Sequence, residues 1–229
     1  MPKKDEVVMN AIKEVVGTSK LGRRKVIVKV QRKQPELSVS KIRRVYEQGG
    51  FSLYKRMKSR KTDNPSNPIE VPLAPNMEWA MDFMSDSLAN GRRIRTLNII
   101  DQYNRKCLQI AIGYSMPSKK VIEIVQRAID EHGKPKGIRT DNSSEFTSAI
   151  FQDWLGNKGI EWVKNQKGKP QQNAIIERFN RTYREDILDA NVFFSLEHAN
   201  QVTEPWIIDY NNERPHQSLN FLTPNEYVA

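Results

Sequence analysis

The sequence predicts an α/β protein, a mixed sheet flanked by helices, preceded by a small basic helical module. Three observations carry that expectation. Short apolar runs between residues 79 and 112 give way to alternating helical and extended patterns as far as residue 210. Four prolines crowd residues 62–76, where a fixed φ and a missing donor favour an extended spacer over a helix. Charge divides at that spacer: residues 1–61 hold 18 Lys/Arg against 5 Asp/Glu, a net of +13, while the remainder is net −3. The expected organisation is a basic helical module at 1–61, a Pro-rich linker at 62–76 and a catalytic core at 77–229.

Composition narrows the class. With 229 residues, 38% of them apolar and 28% charged, the chain suits a folded core with a small appended module. No apolar run approaches the roughly 18 residues of a membrane span, and no apolar stretch follows the N-terminal lysines as in a secretory signal. Cys107 is the single cysteine, which excludes an internal disulfide and a cysteine-based zinc cluster. A cytoplasmic protein with no membrane partner is the expectation.

In the basic module, Val7, Val8, Ala11, Ile12, Val15 and Val16 form a helical stripe closed by Gly17. Gly22 to Lys33 is short and basic; its alternating Val26, Val28 and Val30 leave a strand open as the alternative. Ser38 or Ser40 can cap a third segment, Ile42 to Gln48, which stops at Gly49-Gly50. Three short helices carrying Arg23, Arg24, Lys25, Arg43 and Arg44 resemble a helix-turn-helix DNA-binding module. A basic helical arm without base readout fits the same residues.

Beyond the linker, Trp79–Met84, Arg95–Ile100 and Cys107–Ile112 read as three strands of an antiparallel meander, separated by turn-like residues. An amphipathic helix follows, capped by Ser118 and ending near His132-Gly133. Next come a strand before Asp141, a helix from about Ser144 to Leu155, a strand at Ile160–Val163, a helix from Gln171 to Leu188, and a last helix at Leu196–Tyr210. The order is βββαβαβα. In a ribonuclease H-like sheet the first strand lies beside the end of the fourth, which would set Asp82 next to Asp141.

Glu177 follows Asp141 with 35 residues between them. Ile176, Phe179, Tyr183 and Ile187 make the apolar stripe of its helix; at about 100° per residue, Glu177 points away from that stripe with Asn173, Arg181 and Arg184. Each carboxylate alone has an ordinary explanation. Glu177 pairs with Arg181 at i, i+4, Asp82 faces solvent by strand alternation, and Asp141-Asn142 is a turn; Asp86 and Asp101 compete as ligands. Together, three carboxylates on separate elements suit two divalent cations about 3.5–4 Å apart, the arrangement that serves phosphodiester displacement. Hard oxygen donors select Mg²⁺, with Mn²⁺ as a substitute, over zinc.

Five stretches carry a more specific resemblance: Trp79-Ala-Met-Asp-Phe83; Asp86-Ser-Leu-Ala-Asn-Gly-Arg-Arg93; Ile138-Arg-Thr-Asp-Asn142; Gln172-Asn-Ala-Ile-Ile-Glu-Arg-Phe-Asn180; and Asp209-Tyr-Asn-Asn-Glu-Arg-Pro-His-Gln-Ser-Leu219, then Thr223-Pro-Asn-Glu-Tyr227. The chain resembles transposases of the insertion-sequence-three family, the product of the second reading frame, whose DDE-type core is related to retroviral integrase. The resemblance implies Asp82, Asp141 and Glu177 as catalytic, metal-holding residues, with Asn142 and Asn173 supporting them. It implies two Mg²⁺ ions when DNA is bound, and contacts to element ends and target DNA. Lys164, Lys167, Lys169, Arg181 and Arg184, beside the site, are expected to join the basic module in holding DNA. It further implies action as a homo-oligomer on DNA, fusion to an upstream-frame product, and a bacterial, nucleoid-associated location. One departure is that Ser143-Ser144 stands where the family carries Gly-Pro, so the turn beside Asp141 is expected to be stiffened or reshaped.

Two other activities remain open to the sequence: a transposase-derived DNA-binding or regulatory protein without turnover, and a ribonuclease H-like nuclease that cuts without joining. A tyrosine recombinase, raised by Tyr183 and Tyr210 with Arg214 and His216, is set aside because that class spreads its Arg and His ligands over a larger helical domain.

Overall fold

The computed structural model describes residues 3–17, 21–51, 71–165 and 173–228. It separates into two compact units, one gathering the described residues of 1–65 together with 212–227, the other those of 66–211. Most of the linker, up to residue 70, lies outside the described residues.

In the first unit, α1 (Lys3–Gly17), α2 (Arg23–Lys33) and α3 (Val39–Gln48) enclose one apolar core. Val8, Ile12, Val15, Val26, Val30, Ile42, Val45 and Tyr46 are buried in it. Residues 23–33 are therefore helical, not extended; Val26, Ile27 and Val30 share the buried side at helical spacing. Ser38 caps α3, its side chain accepting from the Lys41 backbone N–H at 3.4 Å. Arg44 grips the buried Asp5 carboxylate through both guanidinium ends, at 2.8 and 3.1 Å, tying α3 to α1. Residues 212–227 group here because Arg32 donates to the Glu226 carboxylate at 2.8 Å and to the Phe221 carbonyl at 3.1 Å. The sequence division had assigned them to the core.

The second unit is built on a five-stranded sheet of order β3-β2-β1-β4-β5. The meander β1 (Glu78–Ser87), β2 (Arg93–Asp101) and β3 (Cys107–Gly113) is antiparallel. Parallel strands β4 (Gly137–Thr140) and β5 (Glu161–Lys164) extend it past β1. Strand alternation divides two cores. Trp79, Met81, Leu97 and Ile99 face α4 (Ser118–His132), α5 (Ser144–Thr147) and α6 (Ala149–Lys158). Ala80, Met84, Ile94 and Ile100 face α7 (Ala174–Tyr183) and α8 (Leu196–Asn212).

Several boundaries differ from the sequence reading for local reasons. Ser118 does not cap α4; Pro117 holds the cap position, and the Ser118 hydroxyl donates to the Glu145 carbonyl at 2.9 Å. The single helix expected from Ser144 is two, because Ser148 takes an extended conformation (φ −64°, ψ 141°) between α5 and α6. Gly159 closes α6 in the left-handed region at φ 64°, where a side chain is disfavoured. The Gln171–Leu188 helix is described from Ala174, and its last turn, Arg184–Leu188, widens into a π-helix.

The Arg44–Asp5 pair yields a stability prediction. The Arg44 guanidinium holds the Asp5 carboxyl below the usual carboxylate range. A depressed folded value stabilises above the unfolded pKa near 3.8 and is lost as pH falls through the folded value. Arg44→Ala should lower the thermal midpoint of the N-terminal unit by several degrees at neutral pH, and the deficit should fade in acid. An unchanged midpoint in circular dichroism melts would show that Arg44 serves only the surface.

Candidate active site

Asp82 and Asp141 are brought together by the parallel pairing of β1 with β4. The register sets Glu78 beside Gly137, Trp79 beside Ile138 and Ala80 beside Arg139, so the two aspartates follow at the same level, two residues beyond the last pair. Asp82 shares the strand face of Ala80 and Met84, the face covered by α7. Glu177 lies exposed in the first turn of α7, next to Ile176, whose side chain is buried against the sheet. The stripe Ile176, Phe179, Tyr183 and Ile187 is buried as the helical period requires, and Phe179 meets Tyr210 edge-on at 5.1 Å. Packing of that stripe fixes the rotation of α7 about its axis, and hence the direction of Glu177.

Backbone donors fix the two aspartates. Asp82 Oδ1 accepts from the Phe83 N–H at 2.8 Å, and Asp141 Oδ1 accepts from the Ser143 N–H at 3.1 Å. Burial first, then the charges of Asp141 and Glu177, push the Asp82 carboxyl up to about 6, against the opposing pull of its hydrogen bonds. Burial is the larger part of that rise, and the two neighbouring carboxylates add to it. Such a cluster of hard oxygen donors fits a magnesium-class ion. Among the described residues no three His, Cys, Asp or Glu side chains stand together closely enough to hold a metal ion by themselves. Magnesium rarely needs one, since it is usually held by one or two carboxylates together with substrate phosphates and water.

The turn after Asp141 is not strained by its serines. Ser143 sits at φ −64° and ψ 153°, a conformation open to any residue, and acts as the N-cap position of α5. The turn leads directly into a four-residue helix, Ser144–Thr147. Arg95 holds that helix by an ion pair to Glu145, with its guanidinium over the Phe83 ring at 4.2 Å.

The remaining expected site residues divide by their contacts. Asn142 is exposed on the Asp141 turn, and Asn173 occupies the N-cap position of α7 without a side-chain cap bond. Arg181 is exposed one turn beyond Glu177, whereas Arg184 turns back to donate to the Ser85 carbonyl at 3.0 Å. Lys164 lies at the end of β5 with its ammonium over the Trp162 ring at 3.9 Å; Lys167 and Lys169 fall outside the described residues. In the other unit Arg24 and Arg43 are exposed and Lys25 is half-buried, while Arg23 and Arg44 pair with Glu47 and Asp5. Tyr183 is no nucleophile: it is fully buried, its hydroxyl lies 2.9 Å from Thr203, and burial pushes it up to about 12.

Sequence reasoning missed two polar residues beneath the carboxylates. Asn180 donates to Asp82 Oδ2 at 2.7 Å, and Asn98 donates to Asn180 at 2.7 Å. The available signal was Asn98 itself, a lone amide in the apolar run Leu97–Ile100.

The charge on Asp82 gives a prediction whose sign follows from its raised value. Its contribution to stability is complete below about pH 4, where the carboxyl is protonated in both states, and is lost as pH rises through about 6. Asp82→Asn should therefore be the more stable protein without divalent ions at neutral pH, by on the order of 2 kcal/mol. The gap should close in acid. Denaturant melts at both pH values check this, and a less stable variant at neutral pH contradicts it.

Comparison with known proteins agrees with this geometry. Two models of the integrase core domain match, one over residues 72–170 and one over 158–224. An uncharacterised 31.7 kDa protein of insertion element IS407 from Burkholderia multivorans is 34% identical over 210 residues, covering 92% of this chain and 76% of that one. A 39.2 kDa protein of insertion element IS476 from Xanthomonas euvesicatoria is 35% identical, covering 85% of this chain but only 56% of its own length. The transposase of IS904 from Lactococcus lactis is 29% identical over 171 residues, covering 72% of this chain and 66% of that one. Among solved structures, the simian T-cell lymphotropic virus intasome, in complex with a PP2A regulatory subunit, matches with a TM-score of 0.62 at 17% identity, over 91% of this chain and 70% of that one. The HTLV-2 integrase catalytic core, in complex with magnesium, matches at 0.53 and 20%, over 69% and 99%; at such identities the likeness is one of fold, the ribonuclease H-like fold of retroviral integrases. With its sheet, its paired strands and its insertion-element relatives agreeing, this chain belongs to the insertion-sequence transposases built on an integrase catalytic core, DDE-type polynucleotidyl transferases.

Proposed function

We propose that this chain cuts and joins DNA at the ends of an insertion sequence, with Asp82, Asp141 and Glu177 as the three catalytic carboxylates. The observation that supports this reading is the parallel register of β1 with β4, which sets Asp82 and Asp141 level at the carboxyl ends of adjacent strands, under the helix that carries Glu177. In open α/β sheets that edge is where ligands bind. The three side chains would hold two Mg²⁺ ions, or Mn²⁺, once DNA is bound. When bound, such ions polarise the scissile phosphate and favour deprotonation of the attacking oxygen.

The chemistry is two successive exchanges of phosphodiester bonds. A water oxygen attacks phosphorus at the element end; the P–O3′ bond breaks and frees a 3′ hydroxyl. That hydroxyl then attacks a target phosphate, forming a new P–O bond and releasing the target's own 3′ oxygen. No covalent enzyme intermediate is needed and no redox partner is consumed. The chain's part is to hold carboxylates at fixed positions and to grip the DNA backbone. Arg181 and Lys164 lie near the site for that purpose, Asn142 and Asn173 support the carboxylates, and the 1–61 module with Arg24, Lys25 and Arg43 is the proposed end-binding part, joined by the 62–76 linker. Arg23, Arg44 and Arg184 would lend DNA contacts only by sharing their intramolecular partners. Lys167 and Lys169 belong to the loop before α7 by sequence. Assembly as a homo-oligomer on DNA and fusion to an upstream-frame product complete the proposal.

The test is a Mg²⁺-dependent assay on labelled element-end duplexes, which reports no product, cut product or joined product. Joined product is expected from the unaltered protein. Glu177→Gln and Asp82→Asn should each lower cutting and joining by on the order of a hundredfold or more, while gel-shift binding of the duplex stays within about twofold. Full joining by either variant rejects the triad. Cut product alone would favour a nuclease, and no product with retained binding a regulatory protein.

A further inference from the structure

Below the carboxylates two amides form a buried chain across three elements. Asn98 stands on β2 directly opposite Asp82 in the antiparallel register and has no exposed surface. Its Nδ2 donates to Asn180 Oδ1 at 2.7 Å. Asn180 lies on α7, three residues after Glu177, and is 8% exposed; its own Nδ2 donates to Asp82 Oδ2 at 2.7 Å. The two ends of an amide are chemically distinct. Because Asn98 supplies an N–H to one end, Asn180 must turn its NH₂ to Asp82; the flipped amide would set oxygen against oxygen at one contact and NH₂ against NH₂ at the other.

We propose that Asn98 and Asn180 are positioning residues, a two-amide relay that orients the Asp82 carboxylate for a divalent cation. The Phe83 N–H occupies one lone pair of Oδ1, and the Asn180 amide occupies one of Oδ2. The remaining lone pairs would be left to face the metal. Stability alone does not account for Asn98. It sits among Leu97, Ile99 and Ile100 in a buried strand, and its Oδ1 has no partner among the described residues, a costly arrangement for an inert core position. Partners of this kind behind a ligand tune metal affinity by about 10- to 100-fold. The relay also links the strand bearing Asp82 to the helix bearing Glu177, so one network controls the relative placement of two of the three carboxylates.

This inference rests on the reading of Asp82 as a metal-holding residue, and the experiment separates the two. Asn98→Leu, Asn180→Leu and the double variant would be compared with the unaltered full chain and with Asp82→Asn. Leucine approximates asparagine in shape, and the double variant removes both amides together while leaving only Asp82 Oδ2 without its donor, so its thermal midpoint should fall no further than that of Asn180→Leu. The first readout is uptake of Mn²⁺ alone, followed through the electron paramagnetic resonance signal of the free ion. The second is the Mg²⁺ concentration giving half-maximal strand transfer. Both midpoints should rise about tenfold in either single variant, and no further in the double variant, since the two residues act as one unit. Should Asn98→Leu fail to fold, Asn180→Leu and the double variant decide the matter. Unchanged midpoints in the leucine variants, with Asp82→Asn defective, would reduce the relay to structural filling and overturn the proposal. If the unaltered protein takes up no Mn²⁺, or Asp82→Asn takes up as much, the metal assignment itself falls.

Discussion

The parallel pairing of β1 with β4 is the constraint on which the rest of the core depends. It brings Asp82 and Asp141 from distant parts of the chain to one edge of the sheet, against the electrostatic preference of Asp82. Burial and mutual repulsion both oppose ionisation of Asp82, so the fold must hold a charge arrangement that it would relax if free to do so. The surrounding bonds prevent that relaxation. Arg139 on β4 binds Glu78 on β1 through two contacts at 2.7 and 3.1 Å, clamping the same pair of strands just below the aspartates. Trp162 on β5 donates to the Thr140 hydroxyl at 3.0 Å, fixing the residue immediately before Asp141.

The stabilisation that offsets the site comes mostly from apolar packing away from it. On the α7 side, Phe179, Tyr183, Trp206 and Tyr210 form a continuous aromatic cluster with ring centroids 5.0–5.8 Å apart. Each buried side chain of that size contributes on the order of 1.5–3 kcal/mol relative to exposure, so the four together outweigh the cost of one displaced carboxylate. The same cluster sets the rotation of α7, so the stabilising packing is also what aims Glu177. Stability and geometry here come from one set of contacts, which is why a site of unfavourable charge can stay rigid.

Much of this was legible in the sequence because its governing patterns are local. Strand alternation in Trp79–Met84 and the helical stripe from Ile176 to Ile187 fixed which residues face inward, and the strand order followed from the ribonuclease H-like arrangement. What escaped notice depends on partners remote in the chain. Asn98 and Asn180 are separated by 82 positions and reveal their link only when β2 and α7 meet. Ser118 has the chemistry of a helix cap, but the Glu145 carbonyl competes for its hydroxyl. Arg184 donates to the Ser85 carbonyl, 99 positions away, a partner that residue spacing alone does not announce.

The basic module shows the same limit for charge. A net of +13 in residues 1–61 overstates the charge available to DNA, because Arg23, Arg32, Lys33 and Arg44 all engage carboxylates within the first unit. Such pairs leave net charge unaltered at long range, so the attraction that steers DNA toward the module survives. At contact distance the situation differs, since a guanidinium bound to a carboxylate must leave it, or share it, before meeting a phosphate. In the proposed end-binding role, steering would belong to the whole module and tight contact to exposed cations such as Arg24 and Arg43. The count of basic residues identifies the kind of partner; which of them can grip it is decided by the ion pairs that folding has already made.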